Sequence, residues 1–126
     1  MTFDVKTQVE LPRGEDFLHG WTAELVTGPG SKGESGWLIL TSFRCLFFRQ
    51  VGFLGGRRLE KPASFAVKLE RLRSLSARPI SVEIGYGDHV TIPGVEVDGK
   101  LFRLDREASA ESVVAQIRTA RTARPL

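Results

Sequence analysis

Residues 36–50, GWLILTSFRCLFFRQ, constrain the fold more than any other part of the chain. Two strongly apolar, β-prone runs, Trp37-Leu38-Ile39-Leu40 and Cys45-Leu46-Phe47-Phe48, are joined by the short polar link Thr41-Ser42-Phe43-Arg44. This is the pattern of an antiparallel hairpin with at least one face in a core. A small β scaffold is therefore the starting expectation.

The flanking sequence extends that reading. Residues 2–9 suit a loose arm or a short first strand, and Leu11-Pro12-Arg13-Gly14 signals a turn. Residues 17–27 alternate imperfectly and predict a strand. The loop GPGSKGESG (28–36) opposes both helix and ladder, and residues 52–61 form a second loop. In residues 64–69, Phe65, Val67 and Leu69 are expected inward and Lys68 outward. Residues 72–86 are extended and broken at Pro79, which cannot donate to a ladder. Gly87-Asp88-His89 turns the chain. Two strands, 90–97 and 101–105, then flank Asp98-Gly99, a two-residue hairpin signal. After Asp105 the period changes. Ser109 caps a helix, Val113, Val114, Ile117 and Ala120 form one apolar stripe, and Arg118 and Arg121 suit its C-terminal end. The order is about seven strands over residues 17–105 and one helix over 108–123, so a curled sheet plugged by the helix is expected.

A chain of 126 residues suits a single domain spanning 1–126 with one core. The lone Cys45 fits a reducing interior. The acidic N-terminal stretch has no apolar signal core, and no apolar run approaches the roughly 20 residues that span a bilayer. A soluble cytoplasmic protein is expected, with peripheral membrane contact as the variant. The net charge of +3 hides an asymmetry. Residues 44–78 hold nine bases against Glu60 and Glu70, while the segments on either side are net acidic. Such a basic third attracts anionic lipid, nucleic acid or an acidic protein, or is a solvated β surface.

The element order resembles the pleckstrin-homology superfold, and within it the GRAM and bacterial pleckstrin-homology-like branch. The resemblance rests on Gly36, the strand Trp37-Leu38-Ile39-Leu40, Thr41, Ser42-Phe43, Arg44 and the strand Cys45-Leu46-Phe47-Phe48. Phe65-Ala66-Val67-Lys68-Leu69 with Leu72 and Leu75, the last strand Leu101-Phe102-Arg103-Leu104 and the final helix add to it. GLUE domains are similar over the same hairpin. The resemblance implies a mainly β, partly open barrel of about seven antiparallel strands in two sheets, capped by one C-terminal helix. Phosphoinositide-binding relatives carry several bases around the first long loop; here residues 28–36 have Lys32 with Glu34 beside it.

Signals of catalysis are weak. Gly28 and Gly33 have the spacing of a phosphate loop, but Glu34 stands where lysine should follow. Cys45 is expected to pack in the core. His19 and His89 lack partners at metal-ligand spacing, and His89 with Asp88 reads as a surface turn. No Gly-x-Ser-x-Gly elbow occurs, and Asp105 and Glu107 read as solvated strand-end carboxylates. No cofactor, no metal and no enzymatic activity are expected, a small-ligand enzyme using His19, His89 and Asp88 being the remote alternative.

The candidate binding segment is VGFLGGRR (51–58). Phe53 and Leu54 lie between glycines at a loop tip, next to Arg57, Arg58 and Lys61, with Arg44 and Arg49 as further bases. Each large apolar side chain gives about 1.5–3 kcal/mol on burial, and each base about 1 kcal/mol near an anionic leaflet. That suffices for reversible docking. The reading that outweighs docking is that Phe53 and Leu54 fold back onto the core or meet a neighbouring subunit. The leading expectation is a non-catalytic protein-interaction or targeting module. Peripheral binding of an anionic membrane is the alternative, homo-oligomerisation is open, and nucleic acid is not expected because no stacking motif accompanies the bases.

Overall fold

A computed structural model describes residues 4–27, 33–52, 56–105 and 108–123. Among them are ten strands: β1 (Phe17–Val26), β2 (Gly33–Thr41), β3 (Arg44–Val51), β4 (Arg58–Leu59), β5 (Phe65–Lys68), β6 (Leu75–Ala77), β7 (Ile80–Gly85), β8 (Asp88–Ile92), β9 (Gly94–Val97) and β10 (Lys100–Leu104). A one-turn helix α1 (Val5–Gln8) precedes them and α2 (Ala110–Thr122) follows; a 3-10 turn, Leu69–Arg71, succeeds β5. Eight strands form one antiparallel sheet in the order β4-β3-β2-β1-β10-β9-β6, with β5 also on β3. β7 and β8 pair only with each other. The sheet is not closed, and α2 packs against β6, β9 and the 3-10 turn that leads from one edge of the sheet toward the other.

The count of ten replaces the expected seven or so. Proline explains most of the excess. The break at Pro79 was anticipated, but residues 90–97 were expected as one strand and Pro93 divides them into β8 and β9. With no N–H at either position, the ladder stops at both ends of the β7–β8 hairpin. Arg78 N–H donates to Gly94 O at 2.7 Å and Leu104 N–H to Pro93 O at 2.8 Å, which ties the two ends of the hairpin to the main sheet.

The continuous apolar runs of β2 and β3 have a clear cause, because both faces of this hairpin are covered. Leu38, Leu40, Cys45 and Phe47 face the main core with Phe102, Val95, Val97 and the helix. Ile39, Leu46 and Phe48 face a second cluster with Val9 and Leu59, flanked by Val5, Leu11, Phe17 and Trp37. Residues 4–11 are thus a cover for the outer face and not a loose arm or a strand. Asp4 caps α1 by accepting from Lys6 N–H at 3.1 Å. Gly20 permits the close approach: a Cβ there would meet Val5 Cγ1 at 3.0 Å and Ile39 Cδ1 at 3.2 Å.

The helix follows its sequence signals. Ser109 Oγ accepts from Ser112 N–H at 3.2 Å, and Val113, Val114, Ile117 and Ala120 are buried. The stripe inserts into the main core beside Leu69, Leu72 and Val97.

Candidate functional site

The β7–β8 hairpin pairs only with itself, and its foot, at Ile80 and Ile92, lies beside the outer face of the main sheet. Register sets Ser35, Glu24, Arg103 and Gly94 side by side across β2, β1, β10 and β9. Gly94 leaves room for the hairpin, since a Cβ on it would meet Arg78 O at 2.5 Å and Ile80 Cδ1 at 2.7 Å. One hairpin face pairs Ile80 with Ile92 and Val82 with Val90, all half-buried. The other carries Ser81, Glu83, His89 and Thr91, all exposed.

At the foot of the hairpin lies an open cleft of about 360 Å³, lined by Thr22, Glu24, Ser35, Gln50, Ile92, Arg103 and Asp105 among others. Arg103, with a side chain only 8 % exposed, donates from Nη2 to Glu24 Oε2 at 2.7 Å. A buried guanidinium requires such a partner. Beside this pair, Thr22 Oγ1 donates to Asp105 Oδ2 at 3.4 Å, and Trp37 Nε1 donates to Gln50 Oε1 at 2.9 Å.

The far end of the hairpin is exposed. Tyr86 and Gly87 form its two-residue turn with φ of 46° and 84°, the left-handed pair that a tight hairpin turn requires. Glycine accepts that conformation freely, whereas a bulky side chain costs about 1–2 kcal/mol there. Tyr86 is fully exposed and Ile84 is 66 % exposed. Glu83 and Asp88, both exposed, flank them. The turn is thus at Tyr86-Gly87 and not at the expected Gly87-Asp88-His89, since Asp88 and His89 already pair in β8, and the exposed Ile84 and Tyr86 were not singled out in the sequence.

The residues singled out in the sequence are not gathered in one place. Phe53 and Leu54 lie outside the described residues. Arg57 and Arg58 are exposed, and Arg58 pairs with Val51 on the face shared by Arg49, which is also exposed. Lys61 Nζ lies 3.7 Å from Glu10 Oε1. Arg44 is at the other end of β3, roughly 17 Å from Arg49 at about 3.3 Å per residue. Its Nε donates to Glu15 Oε2 at 2.9 Å. The same carboxylate oxygen accepts from the buried Thr41 Oγ1 at 2.6 Å, and Thr41 Oγ1 accepts from Arg44 N–H at 2.8 Å. Thr41 and Arg44 of the hairpin link are thus engaged in fixing the turn to the N-terminal segment.

Cys45 is fully buried, and desolvation pushes its thiol up to about 12 from the ordinary 9.0. A thiol-specific reagent at pH 8 is expected to leave it unlabelled in the native protein and to label it fully in denaturant. Rapid native labelling would contradict the core placement. The sign for stability follows: the unfolded thiol ionises first, so stability declines as pH rises past 9. His19 stacks on Trp21 in β1 with ring centroids 5.4 Å apart, while His89 is on β8 near Ser81. Among the described residues no group of three or more His, Cys, Asp or Glu side chains could hold a metal ion. Nor is any described helix long and apolar enough to cross a membrane. No family model matches the chain, and no curated protein matches it.

Proposed function

We propose that the chain is a non-catalytic binding module of pleckstrin-homology-like type that docks a protein partner through the tip of its β7–β8 hairpin. The fold assignment is supported by the antiparallel strand order and the helix that closes the open side of the sheet. One observation carries the function: Ile84 and a strained Tyr86 project into solvent from a two-stranded hairpin held off the main sheet. Strain of this kind persists where a position has a use. An exposed aromatic beside an aliphatic residue has the composition of an interface anchor. Glu83 and Asp88 beside the tip would be repelled by an anionic leaflet, so the partner is a protein with an apolar pocket rimmed by bases.

The test compares proteins captured by the wild-type chain, by Ile84→Ser with Tyr86→Ser, and by Arg57→Ala with Arg58→Ala. Both changes alter exposed residues, and unchanged thermal midpoints are expected. The expected result is a captured protein lost at least tenfold with the hairpin variant, kept with the arginine variant, and weakened as salt rises from 0.1 to 0.5 M. Capture that ignores the hairpin variant would overturn the reading. A second reading draws on Arg49 and Arg58 sharing a face beside the exposed Arg57. It predicts sedimentation with vesicles of phosphatidylcholine and phosphatidylserine that the arginine variant abolishes.

A further inference from the structure

Resting on the hairpin as the docking element, we infer that the cleft at its foot receives a lysine or arginine side chain of the docked protein. Four features of the cleft specify a cation with an aliphatic stem. Its one buried guanidinium, on Arg103, is engaged by Glu24, so the positive charge is already matched within the floor. Asp105 is different. Its carboxylate is exposed, accepts from Thr22 Oγ1 at the long distance of 3.4 Å, and has no cation within 4 Å among the described residues. The cleft therefore holds one more negative charge than positive among its lining residues. Ser35 supplies a neutral acceptor on the same floor, beside Gln50, whose Oε1 already accepts from Trp37. Ile92, half-buried at the wall, offers the surface against which methylene groups lie while the charged head reaches the carboxylates.

Charge complementarity selects the occupant. Asp105 and Glu24 at the foot and Glu83 and Asp88 near the tip place acids along the hairpin at both ends. Arg78, the base next to the hairpin in sequence, acts on Glu96, whose carboxyl lies below the ordinary range chiefly through the Ser74 hydroxyl and the Gly99 N–H. A partner segment with a basic residue a few positions from an apolar one would satisfy cleft and tip together. An acidic segment would meet like charge at both.

The probes are N-acetyl-leucyl-arginine amide, the norleucine analogue N-acetyl-leucyl-norleucine amide and N-acetyl-leucyl-glutamate amide, each titrated into the 15N-labelled full chain and followed by amide shifts. The arginine probe is expected to move Thr22, Glu24, Ser35, Ile92 and Asp105 with millimolar affinity, at least fivefold tighter than either other probe. Asp105→Asn, an exposed change, is expected to weaken it at least threefold, and Ser35→Leu to block it by filling the cleft. Equal responses to all three probes, shifts centred elsewhere, or no response would overturn the assignment. The Ile84→Ser, Tyr86→Ser chain separates the two proposals. It keeps the arginine response if the cleft reading holds, whatever becomes of partner capture.

Discussion

Phe102→Ala is expected to lower the free energy of unfolding by about 3–5 kcal/mol, the largest effect of any single truncation proposed for this chain. Phe102 is fully buried on β10. Its ring lies 5.4 Å from that of Phe47 on β3 and 5.5 Å from that of Phe65 on β5, in tilted and edge-to-face arrangements. In the sheet order β10 is separated from β3 by β1 and β2. The three rings therefore meet across the hollow of the curled sheet and not along a ladder. Removing the middle ring takes away its own buried area and one partner from each of two others, and it leaves a cavity that backbone hydrogen bonds keep from collapsing. Urea unfolding followed by tryptophan fluorescence would read the change as a lower midpoint at unchanged slope. A loss under 1 kcal/mol would mean that the sheet does not curl around this ring.

Gly36→Ala is the second large effect, and here an atom is added. A Cβ on Gly36 would run into the carbonyl oxygen of Phe48, meet Phe47 Cζ at 2.8 Å and Arg49 Cα at 2.9 Å. Two of these three obstacles are backbone and cannot rotate away. Overpacking usually costs about 1–3 kcal/mol, and this site belongs at or above the upper end. Gly36 does not need a left-handed backbone, so the cost is steric and grows with side-chain size. Gly36→Val should be worse than Gly36→Ala, whereas alanine at exposed Gly56 has nothing within 4 Å to meet and suffers only from its positive φ of 101°. Equal thermal midpoints for Gly36→Ala and wild type would show that β3 is not held so close at this point.

Much of the fold was written in local sequence. Asp98-Gly99 forms the anticipated tight turn with φ of 50° and 89°. Ser109 caps the helix, Val113 and Ile117 reach the core, and Pro79 ends a strand. Each depends on neighbours within a few positions, where propensity and capping decide. Pro93 was legible by the same rule, but apolar residues on both sides of it concealed the break. What escaped depended on long-range pairing. The one-turn α1 is too short to show a helical period, and its role comes from Ile39 and Leu46 far along the chain. The engagement of Arg44 with Glu15 joins residues 29 positions apart. The cleft exists because register brings Ser35, Glu24, Arg103 and Gly94 into one row, which no single segment encodes. The tip of β7–β8 was the one part of the candidate site carried by adjacent residues.

Apolar cover on both sides of the β2–β3 hairpin has a consequence for how these strands find their alignment. In a strand with one wet face, a slip of one residue drives greasy side chains into water, and the error corrects itself. Here the slipped pairing would still bury Leu, Ile and Phe above and below, so hydrophobicity alone barely distinguishes right from wrong. The alignment must be read from its two ends: the bare backbone of Gly36 seated against Phe48, and the Thr41 hydroxyl gripping Glu15 and the Arg44 amide. Loosening both ends together would leave a hairpin free to trade partners, and its products would be misaligned but well buried.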